Sequence, residues 1–188
     1  MRKPNKRVSV KPRPIHFTPI SERPAGADSR WQVGHFEGDL IIGAGGRSAV
    51  ITLIDRKSRY NFLGALRYGH GAEETLDRLA KLIERVPTEL RRSLTWDQGR
   101  EMAYWADLQE AVGIGVYFAD PHSPWQRPVN ENFNGLVRTW LPKGSDLSIY
   151  SQNDLNKISH QINTMPRWSL GWKSAYECYH RTAVALTA

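Results

Sequence analysis

With 188 residues, 40% of them hydrophobic, and one cysteine, Cys178, the chain has material for one packed domain and cannot form an internal disulfide. No apolar run approaches the ~18 residues of a membrane span, and the basic amino terminus lacks a secretory apolar core, so a cytoplasmic protein without a membrane partner is expected. The net charge of +7 is uneven: residues 1–30 hold eight Lys/Arg against two Asp/Glu, leaving 18 against 17 for the rest.

That first stretch also carries five of the eleven prolines. Residues 1–31 read as a basic, proline-rich linker that cannot bury enough apolar surface to fold alone and suits a polyanion such as DNA. The folded domain is expected over 32–188.

From Gly34, the segment His35-Phe-Glu-Gly-Asp39-Leu-Ile-Ile42 has the apolar end of a central strand, with Glu37 and Asp39 on one face. Gly43 to Gly46 supplies a turn, Ser48 to Ile54 a second strand, and Tyr60 to Leu66 a third. Short polar turns between them predict an antiparallel meander, because a parallel partner needs a long crossover. Asp55 reads as a turn residue.

Leu76, Leu79, Ala80 and Ile83 form the apolar stripe of a helix that stops before Pro87. Ser93 to Trp96 reads as a short strand ending at Asp97, and residues 101–112 as a helix with Met102, Trp105, Leu108 and Val112 inward. Ile114 to Phe118 is a further strand. A helix opening at Ser151 carries a capping box with Asp154 in place of Glu, and its stripe is Leu155, Ile158 and Ile162. The order βββ-α-β-α-β-α-α predicts an α/β fold, a mixed sheet covered by helices.

The organising stretch is Asp120 to Pro142. A proline-crowded loop becomes a helix at Pro128, tolerated there because a first-turn residue needs no N–H partner. Val129, Phe133, Leu136, Val137 and Trp140 recur at helical spacing and are expected to pack inward. Asn134, Gly135 and Arg138 share the side of Glu131, giving it a polar edge.

If the strand ending at Asp97 pairs beside the one carrying Asp39, their carboxylates converge, and the helix after residue 127 can bring Glu131 over the same edge. Three convergent carboxylates repel unless a cation neutralises them. Oxygen ligands favour Mg²⁺ or Mn²⁺, and two such ions per site suit phosphodiester chemistry. Composition alone cannot select these three acids from nineteen.

Three segments nevertheless resemble catalytic signatures of bacterial insertion-sequence transposases of the IS-thirty type, within the superfamily that includes retroviral integrases. They are Gly34 to Ile41, Leu94-Thr-Trp-Asp97-Gln-Gly99, and Asp120-Pro-His-Ser-Pro-Trp-Gln-Arg127 with Asn130-Glu131-Asn132. Ile20 to Ala25, Pro142 to Leu147 and Leu170 to Lys173 add to the likeness, which covers about residues 20–175. Thirty-three residues separate Asp97 from Glu131, the gap expected of this group.

The resemblance implies an RNase H-like integrase catalytic core: a five-stranded mixed sheet, three strands antiparallel and two parallel, flanked by helices. It implies a DDE transposase in which Asp39, Asp97 and Glu131 hold two Mg²⁺ (or Mn²⁺) ions, cleave DNA at transposon ends and join it to target DNA. Bacterial chromosomal DNA would be the substrate and a homo-oligomer the active complex.

Arg127 and Arg138 are the expected phosphate contacts. Trp125, Gln126, Asn130 and His122 are further candidates for touching DNA, the tryptophan by stacking. Glu37 is expected as a salt-bridge partner near Asp39. Departures from the family pattern are Pro128 for a glycine, Met165 and Trp168 for basic residues, and Ser174-Ala175 for Thr-Pro. The helix-turn-helix recognition domain of full-length relatives is apparently missing, so the runner-up readings are an inactive remnant that only binds DNA or a partner, and a nuclease of the same fold.

Overall fold

A computed structural model describes residues 17–187. Its centre is a five-stranded sheet of β1 (His35–Ile42), β2 (Ala49–Asp55), β3 (Asn61–Leu66), β4 (Ser93–Trp96) and β5 (Gly115–Phe118), ordered β3-β2-β1-β4-β5. The expected meander is present: β1 pairs antiparallel with β2, and β2 with β3. β4 and β5 add parallel strands. β2 is buried along its whole length, as a strand covered on both faces must be.

Side-chain alternation divides the core. Phe36, Ile51, Leu53, Leu94 and Trp96 pack toward α2 (Ala72–Ile83) and α3 (Trp105–Val112). Ile41, Val50, Ile54 and Leu63 pack on the other face against α4 (Pro128–Val137) and α5 (Gln152–Thr164). Glu37 and Asp39 have the parity of Ile41 and so point to the α4 layer. The mixed sheet between helical layers is that of an RNase H-like integrase core.

The predicted capping box is formed, with Ser151 and Asp154 bonded reciprocally at the start of α5. Four local expectations differ from the structure. The predicted 101–112 helix is a 3-10 turn at Arg100–Met102 followed by α3, because Tyr104 breaks the helix with φ −106° and ψ 28°. α4 ends at Val137 rather than near Pro142, leaving Leu136 and Trp140 half-buried. A further helix, α6 (Ala175–Thr187), closes the β3 edge by stacking Tyr179 on Tyr60 at 4.4 Å.

The fourth difference lies in residues 17–31, which composition assigned to the linker. Phe17 rests on Phe118 with ring centroids 4.3 Å apart, and Thr18 O accepts from Phe118 N, extending the β5 edge. A five-residue helix, α1 (Ala25–Ser29), follows, with Ala27 fully buried. Arg23 is buried, donates to Thr95 Oγ1 at 2.8 Å and pairs with Asp28. Its planar fork satisfies a strand hydroxyl and a carboxylate together, which anchors a segment poor in apolar residues. The rest of the expected tail, residues 1–16, lies outside the described residues. No helix among those described is long and apolar enough to cross a membrane.

Candidate active site

The parallel register of β1 and β4 sets Glu37 against Thr95, and two residues further on each chain stand Asp39 and Asp97. Gly38 makes the approach possible. The Trp96 ring crosses its Cα so closely that a Cβ there would lie 2.1 Å from ring carbon. Any larger residue would push β4 away and separate the two aspartates.

Arg127, the residue just before α4, lies between them. Its Nη2 donates to Asp97 Oδ2 at 3.2 Å, its Nη1 donates to Gly38 O at 3.0 Å, and Nη1 stands 3.9 Å from Asp39 Oδ1. Asp39 also accepts from Leu40 N and from Asn134 Nδ2, both at 2.9 Å. Burial pushes the Asp39 carboxyl above the usual carboxylate range; Arg127 and the Leu40 N–H pull against it, and the charges of Asp97 and Glu101 add to the rise.

Glu37 fixes how α4 meets the sheet. Its carboxylate is fully buried, accepts from Asn130 N at 2.9 Å in the first turn of α4, and faces Arg56 Nη1 at 3.4 Å. A carboxylate under a helix N-terminus satisfies a backbone donor and complements the dipole. Burial raises the Glu37 carboxyl, against the pull of Arg56 and this N–H. The expected salt bridge is therefore present, and it is joined to a helix cap.

Glu131 is exposed on α4, on the flank from which Asn134 reaches Asp39 three residues on. Among the described residues no three carboxylate, imidazole or thiol groups converge closely enough to hold a metal ion. Asp39 and Asp97 are brought together; Glu131 is not gathered into their cluster. The guanidinium of Arg127 supplies positive charge between the two facing carboxylates. The donor set still fits a hard cation, since Asp97 Oδ1 is a buried oxygen without a hydrogen-bond partner.

Several of the expected DNA contacts have hydrogen-bond partners within the chain. Asn130 is 1% exposed and its Oδ1 accepts from Thr52 Oγ1, so it packs α4 onto β2 and cannot touch a nucleic acid. Its spacing three and seven residues before the buried Phe133 and Val137 was the overlooked signal. Arg127 bridges the aspartates. Gln126 exchanges two hydrogen bonds with Asp120, each 2.8 Å, which shapes the loop. Arg138 donates to Leu141 O and Ile42 O, holding the carboxyl end of α4 to β1.

Trp125 is 71% exposed, and His122 is exposed at a left-handed turn position with φ 58°. Asp55, read as a simple turn residue, is buried and accepts four hydrogen bonds, from Gly34 N, Lys57 N, Ser58 N and Ser58 Oγ. Glu101 was missed by sequence reasoning. It accepts from Trp96 Nε1 at 3.0 Å, and its charge adds to the rise of the Asp39 carboxyl. Its position four residues after Asp97, beyond the Gly99 turn, was the available clue.

The comparisons with known proteins agree with this geometry. Residues 26–124 match the family described as Integrase core domain. The chain is 43% identical over 173 residues to the transposase InsI for insertion sequence element IS30A of Escherichia coli, covering 92% of this chain and 44% of that protein. It is 49% identical over 155 residues to the transposase for insertion sequence element IS1086 of Cupriavidus metallidurans, covering 82% and 45%. A putative integrase of Spiroplasma virus SpV1-R8A2 B is 30% identical over 149 residues, covering 78% of this chain and 46% of that protein. The chain thus spans less than half the length of these relatives. Its sheet order and these matches place it in the integrase core family, among transposases of the IS30 type.

Proposed function

We propose that this chain is the catalytic domain of a DDE transposase, which hydrolyses a phosphodiester at a transposon end and joins the freed end to target DNA. The observation that carries the reading is the juxtaposition of Asp39 and Asp97 at the β1/β4 step, beside the α4 flank that bears Glu131. In hydrolysis a water oxygen forms a bond to phosphorus and the bond to the 3′-oxygen breaks, leaving a 3′-hydroxyl and a 5′-phosphate. In joining, that 3′-hydroxyl forms the new bond to a target phosphorus and the target's own 3′-oxygen leaves. Both steps build negative charge on phosphoryl oxygens, so positive charge in the cleft lowers both barriers.

Asp39, Asp97 and Glu131 would hold two Mg²⁺ or Mn²⁺ ions, whose Lewis acidity supplies most of that stabilisation. The chain's own residues supply positioning. Asn134 and the Leu40 N–H fix the Asp39 carboxylate, Glu37 fixes the start of α4, and Arg127 bridges the aspartates. DNA is the partner, with Trp125 and His122 as the exposed side chains on the loop before α4. A cytoplasmic location and a homo-oligomeric active complex belong to the same reading.

The deciding assay incubates the chain with DNA carrying candidate element ends in Mg²⁺ or Mn²⁺ and separates cleaved from joined products. Cleavage followed by joining is expected. Cleavage without joining would reassign the chain as a nuclease, and a chain that binds DNA with neither reaction would be a binding module.

A further inference from the structure

On the flank of α4 away from the aspartates lies a cavity of about 250 Å³, lined by Phe133, Asn132 and Ser169. Three arginines border it: Arg30 at the end of α1, Arg59 in the β2–β3 turn, and Arg167 after α5. None of the three pairs with a carboxylate among the described residues. Arg59 Nη1 donates to Arg56 O and Arg167 Nη2 to Ile162 O, while Arg167 Nε is buried without a partner.

Three guanidinium groups around one cavity repel, and an unpaired cation loses hydration without compensation. Burial lowers the pKa of Arg59, and Arg30 and Arg167 lower it further against the opposing Glu37 and Asp55. The backbone is also held in an uncommon state there, with Arg30 at φ 54° and Arg59 at φ 63°. Left-handed non-glycine residues collect where a surrounding site over-determines them. Exposed indoles neighbour these residues in the chain: Trp31 follows Arg30, Trp168 precedes Ser169 and Trp172 comes three residues after it, at 72%, 79% and 71% exposure.

Cations without a counter-anion and a buried unpartnered N–H, with exposed indoles close by in the chain, form a combination suited to a sugar–phosphate strand. The cavity lies below the ~300 Å³ at which whole-ligand pockets begin, so it suits a phosphate group rather than a complete small molecule. We propose that the Arg30–Arg59–Arg167 cleft seats one backbone phosphate of a DNA strand, with a neighbouring base stacked on an exposed indole of Trp168 or Trp172. This rests on the strand-transferase reading for its choice of polyanion, but it assigns a site separate from the aspartates. It also provides a cationic contact on the loop where Met165 and Trp168 replace the basic residues of the family pattern.

The test measures fluorescence anisotropy of a labelled twelve-nucleotide single strand, and of the matching duplex, with the 188-residue chain across a salt series. Arg167→Gln removes the buried, unpartnered Nε–H; Arg30→Gln, on an exposed side chain, guards against a folding defect. Losing the phosphate contact should make the slope of log K against log salt shallower by about 0.7 for the single strand or about 0.9 for the duplex. That change corresponds to about fivefold weaker single-strand binding at 0.1 M salt. Trp168→Leu should weaken the single strand more than the duplex.

If both arginine variants keep the parent's far-ultraviolet circular dichroism, slope and affinity, the proposal is overturned. It is equally overturned if inorganic phosphate alone raises the melting temperature through these arginines while the DNA slope stays unchanged. Asp39→Asn separates the two readings. Loss of cleavage in that variant, with parental slopes in the arginine variants, removes only the cleft. Retained cleavage in it, with shallower slopes in the arginine variants, removes only the assignment of the aspartates.

Discussion

Glu37→Gln tests how far one buried carboxylate sets the geometry of the site. The amide keeps an oxygen for Asn130 N–H but loses the charge that faces Arg56, a residue only 4% exposed. Breaking a buried ion pair from one side typically costs 3–5 kcal/mol because the remaining charge stays desolvated. The 3.4 Å approach of Glu37 Oε1 to Arg56 Nη1 is no hydrogen bond, and both atoms lack one, so the lower end of that range applies, about 3 kcal/mol. For a domain of this size that lowers Tm by roughly 6–12 °C. Calorimetry and urea unfolding measure the loss, and hydrogen exchange should show weaker protection in the first turn of α4. Glu37→Gln combined with Arg56→Met should recover much of the stability, since an apolar replacement removes the stranded charge. A single variant within about 1 kcal/mol of the parent, or a double variant no better than the single, would refute the reasoning.

Asp39→Asn, Asp97→Asn and Glu131→Gln are each expected to abolish metal-dependent cleavage with circular dichroism unchanged; full activity in any one removes that residue from the site. Arg127→Gln should lower the metal-free stability by about 1 kcal/mol, as a partly exposed bridge warrants, and should enlarge the rise in Tm on adding Mg²⁺. An unchanged Mg²⁺ response would mean that the guanidinium does not compete with the ion. His35 is 2% exposed, and its pKa falls from 6.5 to about 4 through burial first and then the charges of Arg92, Arg23 and Arg56. A depressed histidine contributes stability that is present above the unfolded value and lost as pH falls toward about 4. The loss relative to His35→Gln should reach at most about 2 kcal/mol by pH 5. Parallel urea midpoints between pH 8 and pH 5 would count against it.

The strands and the aspartate pair were legible because the determining information is local. Period and turn residues mark β1 to β3, and a strand ending at Trp96 places Asp97 at the sheet margin whichever neighbour it takes. What sequence could not supply is which cation meets which anion across the fold. Arg127 reads equally well as a phosphate ligand or as a partner to Asp39 and Asp97; only the arrival of α4 over β1 decides. Asn130 is the opposite case, since its burial was available from helical spacing and was masked by its polarity. Residues 17–31 were assigned to the linker because charge and proline dominate their composition. Their attachment depends on a few specific contacts, Phe17 on Phe118 and Arg23 on Thr95, that no average over the segment records. The arginine cleft was invisible for the same reason, as its three members lie far apart in sequence.

The start of α4 couples these parts physically. Arg127 is both the residue that precedes the helix and the counter-ion of the aspartates, and Glu37 ties the third helical residue to the sheet. Glu131 comes four residues after Arg127, about one helical turn on, so the two positions share a flank of the helix. Pro128 fixes φ at that junction and restricts the conformations open to Arg127 before it. On the opposite flank, Asn132 edges the arginine cleft one residue beyond Glu131. A strand seated there and a guanidinium drawn from between Asp39 and Asp97 would therefore act on one short, stiff segment of backbone. Were Glu131 the third acid of the proposed site, its placement and the balance of charge at the aspartates would be one equilibrium rather than two.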